Sequence, residues 1–254
     1  MKPTKTEEPG TGFRGRSALV IGGSRGLGRA VALALAREGA RVLAVGRSAA
    51  PLRELRSIAA ARELSIATAR ADALRPARVR EILRRAGGRG GAPDILVHAA
   101  GDYWEGSLSR LTRERWDTLV ASNVTSALVA LREALPGMRR RRYGRILLFG
   151  VAGGDAPRAA SGAHAYRAVK TALLTLARSV AHEEAANGIT VNVILPGIIA
   201  TPGTPRRWVG AARRVPAGRL GTPHEVARAA LFLLAEESGY VTGAALHVSG
   251  GYLL

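Results

Sequence analysis

Ser17-Ala-Leu-Val-Ile-Gly-Gly-Ser-Arg-Gly-Leu-Gly28 is the stretch of sequence that decides the fold. Its apolar beginning, residues 17–21, has the length and composition of a buried strand. Four glycines follow within seven residues, and Leu27, Val31 and Leu35 then recur at helical spacing. Glycine lets the backbone turn sharply toward a pyrophosphate, and a helix N-terminus offers that anion free N–H groups. A dinucleotide site is therefore favoured over an ordinary glycine-rich turn at this junction.

Six further apolar runs alternate with helical stretches. The runs are residues 41–46, 65–71, 94–99, 145–149, 189–194 and 244–248. The main predicted helices are 75–85, 112–136, 163–185 and one opened by a capping box at 222–225. Runs that lack polar alternation are buried on both faces, which requires a parallel sheet covered by helices. The sequence predicts an α/β protein: a single doubly wound Rossmann domain with a seven-stranded, mainly parallel sheet and helices on both faces.

The 254 residues suit one large domain, because no break in composition separates two. Residues 1–14 are polar and are predicted to form a flexible N-terminal tail on a domain spanning 15–254. Cysteine is absent, which excludes disulfides and thiolate chemistry, and the five scattered histidines give no support for a metal site. Because there is no apolar run of 18 residues and no signal core, we expect a cytoplasmic protein with no membrane span.

Lysine and arginine number 38 against 19 acids, which gives a net charge of +19. A strong positive field attracts nucleic acid, phosphate cofactors or an acidic carrier protein. The arginines are nevertheless scattered over many predicted helices. Their densest cluster, residues 139–142, lies between a helix and a strand, where solvated charge is usual. A biased composition is the favoured interpretation, and nucleic acid is not the expected partner.

The end of the second predicted strand indicates which dinucleotide binds. A site for NAD needs an acid roughly 20 residues beyond the glycines, to bind the ribose 2′-hydroxyl. No acid occurs between Glu38 and Glu54, and the strand is followed instead by Arg47 and Ser48. An arginine at this position suits a 2′-phosphate, which Arg25 in the glycine loop can also reach. The predicted cofactor is NADP(H).

Tyr166 and Lys170 are one helical turn apart, on one face of the predicted helix 163–185. An ammonium near a phenol stabilises the phenolate, so the tyrosine can exchange a proton near neutral pH. Lys170 is also the only lysine outside the tail, in a chain that uses arginine everywhere else. Because an arginine could supply an ordinary surface charge, this lysine indicates a site that needs a compact ammonium.

With these motifs the chain resembles the short-chain dehydrogenase/reductase family from about residue 15 to residue 252. The resemblance is carried by IGGSRGLG (21–28) for TGxxxGxG, HAAG (98–101) for NNAG, Asn123, YRAVK (166–170) for YxxxK, PGIIAT (196–201) for PGxIxT, GRLG (218–221) and VSGG (248–251). It implies that Tyr166, Lys170 and Asn123 are catalytic, and that Asn123 anchors a proton-relay water.

The resemblance, together with the glycine and arginine arguments, also assigns the cofactor-binding residues. They are Gly22, Ser24, Arg25, Gly26, Leu27, Gly28, Arg47, Ser48, Asp72, Ala73, Ala100, Gly101, Tyr166, Lys170, Pro196, Gly197, Ile199 and Thr201. Among these, Asp72 is expected at the adenine, and Ile199 and Thr201 are expected near the nicotinamide carboxamide and the phosphates. A cap at the end of a strand is the alternative role for Asp72.

The family's catalytic serine has no counterpart in this chain. It normally follows the fifth strand about 13 residues before the tyrosine, and counting back from Tyr166 gives Gly153. Counting from the strand gives Gly150 or Val151 instead. The candidates for a replacement are Ser161, Asp155 and His164. The alternative is that nothing replaces it, because losing one donor to an oxyanion typically lowers a rate by roughly 10²–10³ without abolishing it.

The resemblance implies an NADPH-dependent oxidoreductase that reduces a carbonyl, either a ketone or a β-ketoacyl group, with Tyr166 as the proton donor. The resemblance leaves open a substrate bound to a carrier protein or to CoA, because Arg142 matches one of two arginines that such relatives use. Asn187 stands at the other position. A substrate loop is expected near residues 201–216. The alternatives are reduction of C=N bonds in pterins or imines, and a non-catalytic NADP(H)-binding sensor or scaffold.

The resemblance also implies an oligomer. Relatives pair through two long helices, here about 112–136 and 163–185, and through the C-terminal strand. A homotetramer or homodimer is therefore expected.

Overall fold

The structure, a computed structural model, describes residues 12–87, 91–156, 162–202, 204, 208 and 210–253. Its strands are β1 (Ser17–Ile21), β2 (Arg41–Gly46), β3 (Ile66–Arg70), β4 (Ile95–His98), β5 (Gly144–Phe149), β6 (Ile189–Pro196) and β7 (Ala245–Val248). They form one sheet in the order β3-β2-β1-β4-β5-β6-β7. Every pair of neighbouring strands is parallel. The predicted seven-stranded α/β architecture is confirmed.

The connecting helices cover both faces of the sheet. They are α1 (Gly26–Arg37), α2 (Ala49–Ala60), α3 (Pro76–Ala86), α4 (Arg113–Val120), α5 (Ser126–Arg141), α6 (His164–Glu184) and α7 (Pro223–Leu234). Successive strand residues point to opposite faces. Leu19 and Ile21 therefore pack with α3, α5 and α6, whereas Ala18 and Val20 pack with α1, α2 and α7. In the described ranges no helix has the length and apolar character needed to cross a bilayer.

The capping box predicted at the start of α7 is present, and the first turn of α4 is capped as well. Thr112 accepts a hydrogen bond from the backbone N–H of Arg115 at the start of α4. At the start of α7, the Thr222 side chain accepts from the Glu225 N–H, and the Glu225 carboxylate accepts from the Thr222 N–H. This reciprocal pairing satisfies two backbone donors that the first helical turn would otherwise leave free.

The helix predicted from 112 to 136 differs in two respects from the structure. It is interrupted by a single π-turn, Ala121–Thr125, and it continues through Pro136 to Arg141. Proline normally ends a helix because it removes one N–H donor. Here Leu135 and Met138 are buried against the sheet, so tertiary packing outweighs the local break. The arginines at 139–141 consequently occupy the last turn, where cations are favourable.

The folded part of the chain begins before residue 15, which was the predicted start of the domain. Phe13 is buried with the α1 and α7 face of the core, and its N–H donates to the Glu38 carbonyl. A buried aromatic ring contributes a large apolar area, which ties this segment to the domain. The rest of the predicted tail, residues 1–11, lies outside the described residues.

The strand order places a crevice beside β1. From β1 the chain adds β2 and β3 on one side, and from β4 it adds β5, β6 and β7 on the other. In open α/β sheets, ligands bind at the carboxyl ends of the strands where the order reverses in this way. The glycine loop 22–28 begins at that end of β1.

Candidate active site

A cleft of about 480 Å³ opens at the carboxyl ends of the strands. The predicted cofactor residues that line it are Gly22, Ser24, Arg25, Gly26, Leu27, Gly28, Arg47, Ser48, Asp72, Ala73, Ala100, Gly101, Tyr166, Lys170, Pro196 and Thr201. Gly197 and Ile199 do not line it. A Cβ on Gly197 would lie 2.7 Å from Cα of Ser249, and Ile199 packs against the core. The structure thus brings together residues from five strand ends.

The glycine loop is shaped by close backbone contacts. Gly22 has φ of +81°, and a Cβ there would lie 2.6 Å from the backbone of Ala99 and Ala100. A Cβ on Gly28 would collide with the carbonyl oxygen of Gly22. The first turn of α1 therefore packs directly on the end of β1, which only glycine permits.

The N-terminus of α1 fits an anionic group. Its first turn contains no acid, and its N-cap, Arg25, makes no side-chain cap hydrogen bond. Gly26 has φ of +56°, and a Cβ there would meet no atom of the described residues within 4 Å. Backbone N–H groups and the positive end of the helix dipole thus face an open cleft beside Arg25 and Arg47. These residues fit the pyrophosphate and 2′-phosphate of NADP(H).

Two acids, Asp72 and Asp102, line the cleft. Asp72 accepts a hydrogen bond from the Leu74 N–H at 3.0 Å, so it shapes the turn after β3 while it lines the cleft. Both roles considered for Asp72 are therefore compatible with the structure. Asp102 forms an ion pair with Arg47, with 2.9 Å between Oδ1 and Nη2. Sequence analysis did not place Asp102 beside Arg47, because nothing in the local sequence shows which distant arginine it meets.

Tyr166 and Lys170 lie on α6 and face the same cleft. The Lys170 ammonium donates to the Phe149 carbonyl at 2.7 Å, and its Nζ lies 5.6 Å from the centroid of the Tyr166 ring. Burial lowers the pKa of Lys170 to about 8 and raises the pKa of Tyr166 to about 12. At pH 7 the tyrosine is consequently a neutral phenol beside a charged ammonium, which is the state a proton donor needs.

Asn123 lies at the π-turn between α4 and α5, behind the cleft. Its Nδ2 donates to the carbonyls of Leu119 and Asp102, each at 3.0 Å. Its Oδ1 is buried and has no hydrogen-bond partner among the described residues. A Cβ on Gly101 would collide with this oxygen, so the loop glycine leaves room for it. A buried acceptor of this kind suits an ordered water molecule.

His98 lies close to Lys170 and was not singled out as a site residue. It is buried at the end of β4, and its Nε2 lies 2.8 Å from the Ser126 hydroxyl oxygen. Burial, reinforced by the Lys170 ammonium, lowers the pKa of His98 to about 3. The imidazole is therefore neutral at pH 7 and adds no charge beneath Lys170. Its position in HAAG, where the family has asparagine, was the available signal.

The segment after β5 contains no hydroxyl between residues 150 and 156. A Cβ on Gly150 would collide with Leu195, and Gly153 has φ of +66° with the Leu253 carbonyl 2.9 Å from its Cβ position. Neither position accepts a serine without strain. Of the three positions that correspond to the family's catalytic serine, Gly150, Val151 and Gly153, only Val151 has a side chain. Arg167 fixes this segment by donating to the carbonyls of Ala152 and Gly153.

The structure does not bring Asp155 to the cleft, in contrast to its candidacy as a serine replacement. Its Oδ2 lies 2.9 Å from Nε2 of His247 on β7, and this hydrogen bond lowers the pKa of Asp155. His164 packs edge-on against Trp104 and is not among the residues that line the cleft. Ser161 lies outside the described residues.

Part of the arginine cluster 139–142 stabilises the fold itself. Arg139 pairs with the buried carboxylate of Glu184, and Arg141 donates to the Pro93 carbonyl at 3.0 Å. Arg142 donates to the Ala186 carbonyl at 2.7 Å but remains exposed.

In the predicted substrate loop, Arg214 donates a hydrogen bond to the Tyr252 hydroxyl oxygen at 3.1 Å. Residues 203, 205–207 and 209 of that loop lie outside the described residues.

Comparison with known proteins gives consistent matches. The family model described as enoyl-(acyl carrier protein) reductase matches residues 21–253. The 3-oxoacyl-[acyl-carrier-protein] reductase FabG of Escherichia coli is 35% identical over 243 residues, covering 94% of this chain and 98% of the relative. The D-beta-hydroxybutyrate dehydrogenase of Cupriavidus necator is 31% identical, covering 95% and 99%.

Solved structures agree with these sequence matches. The 3-oxoacyl-[acyl-carrier protein] reductase of Brucella melitensis superposes with a TM-score of 0.89 at 26% identity. The match covers 100% of this chain and 98% of that one. A second structure of a 3-oxoacyl-[acyl-carrier protein] reductase from that organism, with bound NAD, matches equally well.

Proposed function

The chain belongs to the short-chain dehydrogenase/reductase family, and from this membership we propose that it reduces the ketone of a 3-oxoacyl thioester with NADPH. Membership makes it an NAD(P)H-dependent oxidoreductase that acts on a carbonyl group. The thioester is the part that we add. It is supported by the relatives named as 3-oxoacyl-[acyl-carrier-protein] reductases, which match nearly the whole chain.

One observation carries the proposal: the Tyr166–Lys170 pair shares a single cleft with the glycine loop and Arg47. A nucleotide site alone would need only the loop and the arginines. A proton donor with a buried ammonium beside it is useful only where chemistry occurs. The cleft therefore combines cofactor binding at one end with acid–base chemistry at the other.

When bound, the cofactor supplies the hydride that the carbonyl carbon accepts. Tyr166 gives its phenolic proton to the carbonyl oxygen and becomes a phenolate. The Lys170 ammonium stabilises this phenolate, because an opposite charge lowers the pKa of a phenol that burial alone has raised to about 12. The Phe149 carbonyl holds the ammonium in place, and Asn123 Oδ1 offers an acceptor for the water that returns a proton to the site.

We include three further features in the proposal. A carrier protein with an acidic surface suits the net charge of +19, and the exposed Arg142 stands where carrier-specific relatives use an arginine. Asn187 occupies the second such position and donates to Glu184, so this contact is expected to be weaker. We also propose a homotetramer or homodimer, which the resemblance implies, and a cytoplasmic location, which is the expectation from the sequence.

The test is NADPH oxidation with a 3-oxoacyl thioester, a simple ketone, a pterin and a cyclic imine. Tyr166→Phe removes only the catalytic hydroxyl, and Tyr240→Phe is the matched control because Tyr240 is fully exposed. We expect turnover of the thioester that collapses in Tyr166→Phe and persists in Tyr240→Phe. Turnover of the imine or pterin alone would assign a C=N reductase, which the missing serine hydroxyl favours. NADPH binding without any turnover would indicate a sensor.

A further inference from the structure

Arg47 and Asp102 form an ion pair that crosses the cofactor cleft. Arg47 follows β2 directly, and Asp102 lies in the loop after β4. Because β1 lies between these two strands, the pair spans two strand spacings, roughly 10 Å, over the end of β1. The glycine loop 22–28 begins at that end, and both members of the pair line the same cleft as the loop.

Both ends of this pair are held through their backbones. The Asp102 N–H donates to the Ser122 hydroxyl oxygen at 3.1 Å, and its carbonyl accepts from Asn123 Nδ2. The Arg47 carbonyl accepts from Nε of Arg70 at 2.9 Å. The contact is therefore a side-chain bridge between two fixed backbone points, and it can open without moving either strand.

We propose that Asp102 sets cofactor affinity by holding Arg47 across the cleft, so that a dinucleotide must break this pair in order to bind. The inference rests on the proposed function only in taking the cleft as the dinucleotide site. A 2′-phosphate replaces the Asp102 carboxylate as the partner of Arg47, whereas a cofactor without that phosphate offers Arg47 no replacement for the carboxylate. Asp102 thus opposes the binding of both NAD(H) and NADP(H). Only NADP(H) gives Arg47 a new anionic partner, its 2′-phosphate.

NAD+ is the decisive probe, because it lacks the phosphate and reports the ion pair alone. Dissociation constants for NAD+ and NADP+ would be measured by calorimetry on the whole chain. An exposed ion pair contributes roughly 0.2–1 kcal/mol, which corresponds to an affinity change of about 1.4- to fivefold. We expect Asp102→Asn to bind NAD+ two- to fivefold more tightly, and NADP+ likewise.

Variants of Arg47 separate the ion pair from phosphate recognition. Arg47→Ala should also bind NAD+ more tightly but should bind NADP+ more weakly, and adding Asp102→Asn to it should change NAD+ affinity no further. Asp117→Asn is the matched control, because Asp117 is an exposed acid paired with Arg113 on α4. Its unchanged affinity would show that losing one negative charge has no general effect.

The outcomes distinguish this inference from the proposed function. Unchanged or weaker NAD+ binding by Asp102→Asn would overturn the inference, and so would a gain that persists in the Arg47→Ala background. The gain should shrink in 1 M salt, where screening acts over about 3 Å; a gain that does not shrink would also count against it. If no variant bound either dinucleotide, the assignment of the cleft itself would fail.

Discussion

Replacing Lys170 with methionine should stabilise the cofactor-free protein while abolishing its activity. Burial lowers the pKa of this lysine from 10.5 to about 8. At 1.36 kcal/mol for each pKa unit, keeping the ammonium charged in the folded state at pH 7 costs about 3 kcal/mol. The Phe149 carbonyl loses its donor in the variant, which offsets about 1 kcal/mol. The expected net gain is about 2 kcal/mol.

The sign of the pH dependence follows from linkage. Below pH 8 the lysine is charged in both the folded and the unfolded state, so the full penalty applies. Between pH 8 and 10.5 the unfolded lysine retains its proton while the folded one has lost it, so the stability of the unsubstituted protein rises with pH. The advantage of the methionine variant should therefore be complete at pH 7 and absent near pH 10.5.

The assay is urea unfolding of both proteins between pH 7 and 10.5, without added cofactor. A gain of about 2 kcal/mol corresponds to a Tm increase of roughly 4–8 °C for a domain of this size. Arg178→Met is the control, because it removes an exposed cation from the same helix and reports general charge repulsion. Equal or lower stability of Lys170→Met at pH 7, or a difference that does not vary with pH, would refute the reasoning.

Three further predictions concern single positions. Val151→Ser should raise kcat for carbonyl reduction by on the order of 10²-fold by restoring a donor to the oxyanion; an unchanged kcat would show that another group already contacts this oxygen. Gly101→Ala should destabilise the fold by about 1–3 kcal/mol in urea unfolding, because its Cβ collides with Asn123 Oδ1, and native stability would contradict that contact. Thr222→Ala should cost about 1 kcal/mol by the same measurement, since it removes the acceptor of the Glu225 N–H; a loss below about 0.3 kcal/mol would make the cap dispensable.

The parts of the fold that sequence analysis predicted are those decided by local pattern. Residues 17–21 and 41–46 form strands with the predicted bounds, because each is a continuous apolar run bounded by turn residues. The continuation of α5 past Pro136 was missed, because it depends on burial of Met138 against the sheet. No local pattern reports that packing.

In the candidate site, too, relations fixed by local sequence were predictable, whereas contacts made through the fold were not. Tyr166 and Lys170 were predictable together because one helical turn fixes their relation. The Arg47–Asp102 pair joins residues 55 positions apart, and the contact of Gly101 with Asn123 depends on how a loop meets a helix. Asp155 was a candidate to replace the missing serine, but His247 on β7, two strands away from β5 in the sheet, forms a hydrogen bond with it instead. Such contacts become visible only when the sheet order is known.

The scarcity of lysine has a practical consequence for covalent labelling. Lys2 and Lys5 lie in the N-terminal segment, and Lys170 is the only other side-chain amine of the chain. Replacing both Lys2 and Lys5 with arginine would leave the Lys170 amine and the α-amino group as the targets for amine-reactive reagents. With a pKa of about 8, roughly a tenth of the Lys170 amine is unprotonated and nucleophilic at pH 7. A small acylating probe would therefore report occupancy of the cleft at a single residue, and bound nucleotide would protect it.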